Sequence, residues 1–200
     1  MQVHVDPPTG NVVYSSRCQI NSPATDLTIQ RNSERRQTLF AYEHQLQSAT
    51  SSGNVAQIKS IRHELSIALA HWESDAKESF PDSLYNLGMG HRILGNYKSA
   101  IPWFERVRDL YPHTFAAYLE LSWCYAECND LDAAETAGRR AIEINPNHTA
   151  ALGNLAVTLM KKEKLRDALN TITRALEIDS NDQINRNIKR MVEDKIRSHR

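Results

Sequence analysis

Residues 81–182 read as three consecutive segments: PDSLYNLGMGHRILGNYKSAIPWFERVRDLYPHT (Pro81–Thr114), FAAYLELSWCYAECNDLDAAETAGRRAIEINPNH (Phe115–His148) and TAALGNLAVTLMKKEKLRDALNTITRALEIDSND (Thr149–Asp182). Each is 34 residues long, and the three align without a gap. Position 4 is Leu84, Tyr118 or Leu152, and position 7 is Leu87, Leu121 or Leu155. Position 8 is small (Gly88, Ser122, Ala156), and position 11 is His91, Tyr125 or Leu159. These four positions return to one face of a helix. Position 20 is Ala100, Ala134 or Ala168, position 24 is Phe104, Gly138 or Ile172, and position 27 is Val107, Ala141 or Ala175. They share one face of a second helix. Small residues at positions 8 and 20 let the two backbones approach closely. The pairs Gly95-Asn96, Asn129-Asp130 and Glu163-Lys164 fall at the turn between the helices. Pro112 and Pro146, at position 32, stop the second helix and turn the chain into the next unit.

This period and pattern resemble the tetratricopeptide repeat (TPR) family, over about half of the chain. The resemblance implies an all-α solenoid of helical hairpins wound into a right-handed superhelix. Three departures stand out. Gly138 replaces a large residue at position 24, implying a shallow gap or a close helix approach. Ser180 replaces the third proline, where Asp179-Ser180-Asn181-Asp182 can still turn. Pro102 falls within the first two turns of a second helix, where it removes a hydrogen bond and is expected to kink it.

Outward from the repeats, residues 34–80 read as an antiparallel helical hairpin. Leu39, Phe40, Tyr42, Leu46 and Ala49 recur on one face, Ser51-Ser52-Gly53-Asn54 breaks the helix, and Val55, Ile58, Ile61, Leu65, Ala68 and Trp72 form a second stripe ending near Phe80. The hairpin is either a divergent repeat or an unrelated cap. Residues 1–33, rich in Ser, Thr, Asn and Pro, read as a flexible or extended arm with a short extended piece at Val12-Val13-Tyr14. Residues 183–200 read as a C-terminal capping helix. Ile184, Ile188, Met191, Val192 and Ile196 are expected on its inner side, with a basic outer face.

Composition narrows the function. Lys and Arg number 24, as do Asp and Glu, so the formal charge is zero. That balance disfavours nucleic-acid binding and a polybasic membrane surface. The start lacks a signal peptide's basic and apolar regions, no apolar run is long enough to cross a bilayer, and Cys18, Cys124 and Cys128 form no disulfide framework. The expected setting is the reducing cytoplasm. No catalytic set is legible. His63-Glu64 lacks the second histidine of a zinc-protease motif, and Cys124 and Cys128 lack the second ligand pair of a structural zinc site. No enzyme activity, cofactor or metal is expected.

The resemblance implies a groove lined by the first helices. Positions 2, 5, 6, 9, 12 and 13 of each repeat there face a bound peptide. The candidate peptide-binding residues are Tyr85, Asn86, Met89, Arg92, Leu119, Glu120, Trp123, Asn154, Val157 and Lys161. The amides of Asn86 and Asn154, both at position 6, can donate to and accept from a peptide backbone. Ala116, Ala150 and Gly153 leave room beside them. The family's carboxylate clamp needs Lys and Asn, then Asn, then Lys and Arg, at positions held here by Tyr85, Met89, Glu120, Ala150 and Asn154. One repeat further on, Leu119, Trp123, Asn154, Ile184 and Ile188 fit no better. Docking of an acidic chaperone tail is therefore not expected. The expected function is a non-enzymatic scaffold or adaptor for a protein or peptide. The alternatives are a chaperone for secreted subunits, as in type III secretion, and a self-assembling or regulatory subunit.

Overall fold

A computed structural model describes residues 3–5, 12–14, 23–75 and 80–198. The described residues form a two-stranded ribbon, β1 (Val3–Val5) and β2 (Val12–Tyr14), and nine helices. The helices are α1 (Pro23–Ser51), α2 (Val55–Asp75), α3 (Pro81–Ile93), α4 (Tyr97–Leu110), α5 (Phe115–Glu127), α6 (Leu131–Ile144), α7 (Thr149–Lys161), α8 (Leu165–Ile178) and α9 (Gln183–Ser198). The chain divides into two compact units, residues 1–112 and 113–200.

The three repeats share one turn. Asn96 N–H donates to the His91 carbonyl, Asp130 N–H to Tyr125 and Lys164 N–H to Leu159, each at 2.9 Å. This closure requires a left-handed residue just past the first helix. Gly95 (φ 76°), Asn129 (φ 61°) and Glu163 (φ 60°) supply it. Gly95 adopts that geometry without cost, whereas Glu163 places a Cβ where L-residues are disfavoured.

In the first unit, β1 and β2 pair antiparallel with Val3 opposite Tyr14, His4 opposite Val13 and Val5 opposite Val12. The α1–α2 hairpin turns at Gly53 (φ 67°). The Asn54 side chain then caps α2 by accepting from Gln57 N–H at 3.1 Å. Leu39, Ala49, Ile61, Leu65 and Leu69 are its buried apolar residues. At 29 and 21 residues, α1 and α2 are much longer than α3 (13) and α4 (14). The proline at Pro102 does not interrupt α4, which runs on to Leu110. Phe104 is fully buried and explains Gly88, because a Cβ there would lie 2.7 Å from its ring.

One expectation changes in this unit. Helix α1 begins at Pro23, so residues 23–33 belong to a helix rather than to an arm. The support is tertiary: Asn32 and Arg35 are buried although the segment has no apolar stripe. Helix α2 is described to Asp75, and Phe80 is the N-cap of α3, with Pro81 in its favoured first-turn position. Cys18 lies outside the described residues.

In the second unit, Leu152, Leu155, Ala156, Leu159, Ala168, Ile172, Ala175 and Val192 form the core between α7, α8 and α9. Gly138 leaves a shallow gap that a methyl would fill, not a clash. A Cβ there would be in ordinary contact with Leu155 Cδ1 at 3.4 Å and Ser122 Cβ at 3.7 Å. Asp182 does the turning expected of its run: its Oδ1 accepts from Asn185 N–H at 3.0 Å and caps α9. Helix α9 then packs on α7, placing Asn185 Oδ1 2.4 Å from where a Cβ on Gly153 would be. Of the five apolar residues expected on the inner side of α9, Val192 is fully buried and Ile188 and Ile196 pack against the core. Ile184 and Met191 are exposed. The reason is that buried Asn185, bonded to the Thr149 carbonyl at 3.3 Å, rotates the helix so that positions 184 and 191 point away from α7.

Candidate functional site

The candidate peptide-facing residues fall into two sets with different surroundings. On α3, in the first unit, they meet α1. Asn86 is 1% exposed and its Nδ2 donates to the Asn32 carbonyl at 2.9 Å. Arg36 Nε donates to Asn86 Oδ1 at 3.4 Å, and Arg36 Nη2 to Asp82 Oδ1 at 3.1 Å. The same guanidinium lies 5.5 Å from the centroid of the Tyr85 ring. Tyr85 in turn meets Phe104 edge-on at 5.5 Å. Arg92 pairs with Glu43 at 3.0 Å, and Met89 is buried. The amide at position 6 of this repeat therefore holds a backbone carbonyl, and α1 supplies it.

On α5 and α7, in the second unit, the corresponding positions are more open. Leu119, Glu120, Asn154 and Val157 are half-buried, and Trp123 is 43% exposed. Among the described residues the Asn154 side-chain amide makes no hydrogen bond, unlike Asn86. Lys161 is tethered: its Nζ donates to the Ala126 carbonyl at 3.0 Å and lies 3.6 Å from Glu127 Oε1. It crosslinks the end of α5 to α7.

Helix α9 carries residues at the same repeat positions. Counted from Gln183 as position 1, Ile184 occupies position 2 and Met191 position 9, in line with Trp123 and Val157. They are 73% and 53% exposed. Their spacing of seven keeps both on one side of the helix. Lys195 joins α9 to the end of α7 by donating to the Met160 carbonyl at 3.3 Å and pairing with Glu163 at 2.6 Å. The sequence reading put Ile184 at position 2 of a further unit in testing the carboxylate clamp, but assigned both Ile184 and Met191 to the inner side of α9 and left them out of the peptide-facing set.

Electrostatics fix the frame around this face. Glu135, at the start of α6, accepts from Lys162 at 2.8 Å, Lys164 at 2.9 Å and Arg139 at 2.8 Å. The Lys162 and Lys164 hydrogen bonds hold its carboxyl at about 2, against an ordinary 4.5. Lys162 also pairs with Asp132 and is held above its ordinary value by both acids. At the start of α7, His148 Nδ1 accepts from Ala151 N–H at 3.3 Å while its ring stacks obliquely on Phe115 at 4.6 Å. Burial pushes His148 below its ordinary 6.5.

A cleft of about 390 Å³ opens between α6, α7 and α8, lined in part by Arg139, Ile142, Leu155, Asn170 and Arg174. Both arginines are engaged within the chain, Arg139 by Glu135 and Arg174 by the Pro146 carbonyl at 2.6 Å. Among the described residues, no three His, Cys, Asp or Glu side chains are grouped to hold a metal ion. Among the described residues, Cys124 and Cys128 take part in no disulfide. None of the described helices is long and apolar enough to cross a membrane.

The tetratricopeptide repeat family matches residues 80–147 and, through a second description of the same repeat, residues 151–186. The chain belongs to this family, whose domains are in general non-catalytic interaction modules. No curated protein matches the sequence. Solved structures are similar in fold. YrrB, a TPR protein with an unusual peptide-binding site, aligns with a TM-score of 0.61 at 23% identity, over 82% of this chain and 87% of its own. The first TPR of Spaghetti (RPAP3), bound to the HSP90 peptide SRMEEVD, aligns at 0.56 and 20% identity, over 60% of this chain and 96% of its own. The type III secretion chaperone SycD of Yersinia enterocolitica, in complex with a peptide of the translocator YopD, aligns at 0.51 and 19% identity, over 58% of this chain and 89% of its own.

Proposed function

We propose that the chain is a non-catalytic protein-interaction module that holds a protein segment against α5, α7 and α9. One observation carries this reading. Trp123, Ile184 and Met191 stay 43%, 73% and 53% exposed on the repeat positions that face outward from the first helices. Large apolar side chains left in water at matching positions of successive repeats are costly and point to an interaction surface. Leu119 and Val157 add apolar floor, and the unbonded Asn154 amide supplies a donor and an acceptor for a partner backbone.

The chemistry of the face favours an apolar segment over an acidic tail. Ala150, Asn154, Ile184 and Ile188 stand where carboxylate-binding relatives carry Lys and Arg, and Glu120 adds negative charge. Lys161 is already tied to Ala126 and Glu127. The acidic peptide held by the Spaghetti domain is therefore a poor guide to this chain's ligand. The SycD complex is compatible with the chaperone reading as well, since its ligand is a peptide of a translocator protein.

Affinity capture from native lysate tests the proposal. The Trp123→Ala plus Asn154→Ala chain is expected to lose partners that the unmodified chain retains. Equal retention by both would refute the assignment of the face. Light scattering separates a foreign partner from a second copy, because self-association doubles the mass without lysate.

A further inference from the structure

The α1–α3 contact has an unusual composition. Between Leu27 and Thr38, α1 buries only Asn32 and Arg35. The first buried apolar side chain of the helix, among those described, is Leu39. Leu27 and Ile29 face solvent. The contacts that join this half-helix to α3 include Ser83 Oγ to Asn32 Oδ1 at 3.0 Å, Asn86 Nδ2 to the Asn32 carbonyl at 2.9 Å, and the Arg36 contacts to Asp82 and Asn86, while Arg35 lies 5.4 Å from the centroid of the Trp72 ring on α2. The fit is imperfect, because the buried Asn32 Nδ2 has no hydrogen-bond partner.

The α3 side of the contact, in contrast, is built. Asp82, Tyr85 and Asn86 project from one helix onto one guanidinium. They supply a carboxylate, an aromatic face and an amide oxygen, the three groups an arginine engages best. The Tyr85 ring is backed by fully buried Phe104, so the wall is rigid. These residues occupy positions 2, 5 and 6 of the first repeat.

We propose that Asp82, Tyr85 and Asn86 form an arginine-reading site that Arg36 occupies in cis. An arginine-bearing helical segment of a partner takes the site when the polar half of α1, residues 27–38, lifts away. The apolar anchoring that begins at Leu39 keeps the remainder of α1 in place. This site lies in the first unit and stands independently of the α5–α7–α9 face.

The test uses the full chain and a synthetic peptide of residues 23–47, unmodified or carrying Arg36→Ala. The Arg36→Ala chain vacates the site. It is expected to bind the unmodified peptide at least about tenfold more tightly than the wild-type chain does, and the Arg36→Ala peptide at least about tenfold more weakly than the unmodified one. Equal binding of the two peptides, or binding of neither, would overturn the proposal. Should the variant fail to fold, amide exchange on the wild-type chain decides. Residues 27–38 are expected to exchange at least about tenfold faster than 39–51. Equal protection across α1 would show that the half-helix does not lift, and would overturn the proposal in its turn.

Discussion

Replacing Glu135 by glutamine removes the charge on which three cations converge. The carboxylate accepts from Lys162, Lys164 and Arg139 within 3.0 Å, and its side chain is 11% exposed. Lys162 and Lys164 lie at the end of α7 and in the turn after it, so the cluster ties the second repeat to the third. The fall of its pKa from 4.5 to about 2 sets a ceiling of about 3 kcal/mol on the stabilisation, at about 1.4 kcal/mol per pKa unit. Lys164 and Arg139 are 44% and 54% exposed. Solvent therefore screens two of the three partners, and the realised contribution is about 1 to 2 kcal/mol.

The pH dependence has a definite sign. The folded pKa lies below the unfolded one, so the unfolded chain takes up the proton first as pH falls. The contribution is complete above the unfolded value of 4.5 and disappears as pH falls towards about 2. Urea denaturation of both chains between neutral and acid pH measures it. The Glu135→Gln chain should be less stable by about 1 to 2 kcal/mol at neutral pH, and the gap should close on acidification. Equal stability at neutral pH, or a gap that persists undiminished at the acid limit, would refute the reasoning.

Other perturbations separate close packing from open space. Gly88→Ala drives a methyl to 2.7 Å from the Phe104 ring and should cost about 1 to 3 kcal/mol in thermal or urea unfolding. Gly138→Ala meets only ordinary contacts, with Leu155 at 3.4 Å, and should stabilise by up to about 1 kcal/mol through helix propensity. His148 is depressed by burial and caps α7 as a neutral acceptor. For a base with a lowered folded pKa, stability is complete above the unfolded value of 6.5 and falls as pH drops through 6.5 towards the folded value. His148→Asn keeps a capping acceptor without the titration, so its stability should change less over that interval in pH-dependent unfolding.

The repeat was legible because its signals are local and recur. Small residues at positions 8 and 20 mark helix approach, and a left-handed turn residue marks each hairpin, even when that residue is Glu163. The start of α1 was not legible. Residues 23–33 lack an apolar stripe, and their helix rests on Asn32 and Arg35 meeting other elements, a long-range condition no window of sequence contains. The candidate site divides in the same way. Repeat numbering placed Leu119, Trp123, Asn154 and Val157 on one face, but could not foresee that α1 would cover Asn86 and Tyr85. Ile184 and Met191 read as core because helical periodicity alone puts them near Val192. Only the burial of Asn185 reveals the rotation of α9.

The central claim is that a partner segment lies against α5, α7 and α9. Photocrosslinking reads it directly, with a benzoylphenylalanine replacing Met191 in the full chain and, as a control, exposed Arg166 on α8. The account predicts a discrete crosslinked product from position 191, abolished by Trp123→Ala plus Asn154→Ala, and none from position 166. Equal crosslinking from both positions, or a product from 191 that survives those substitutions, would contradict it.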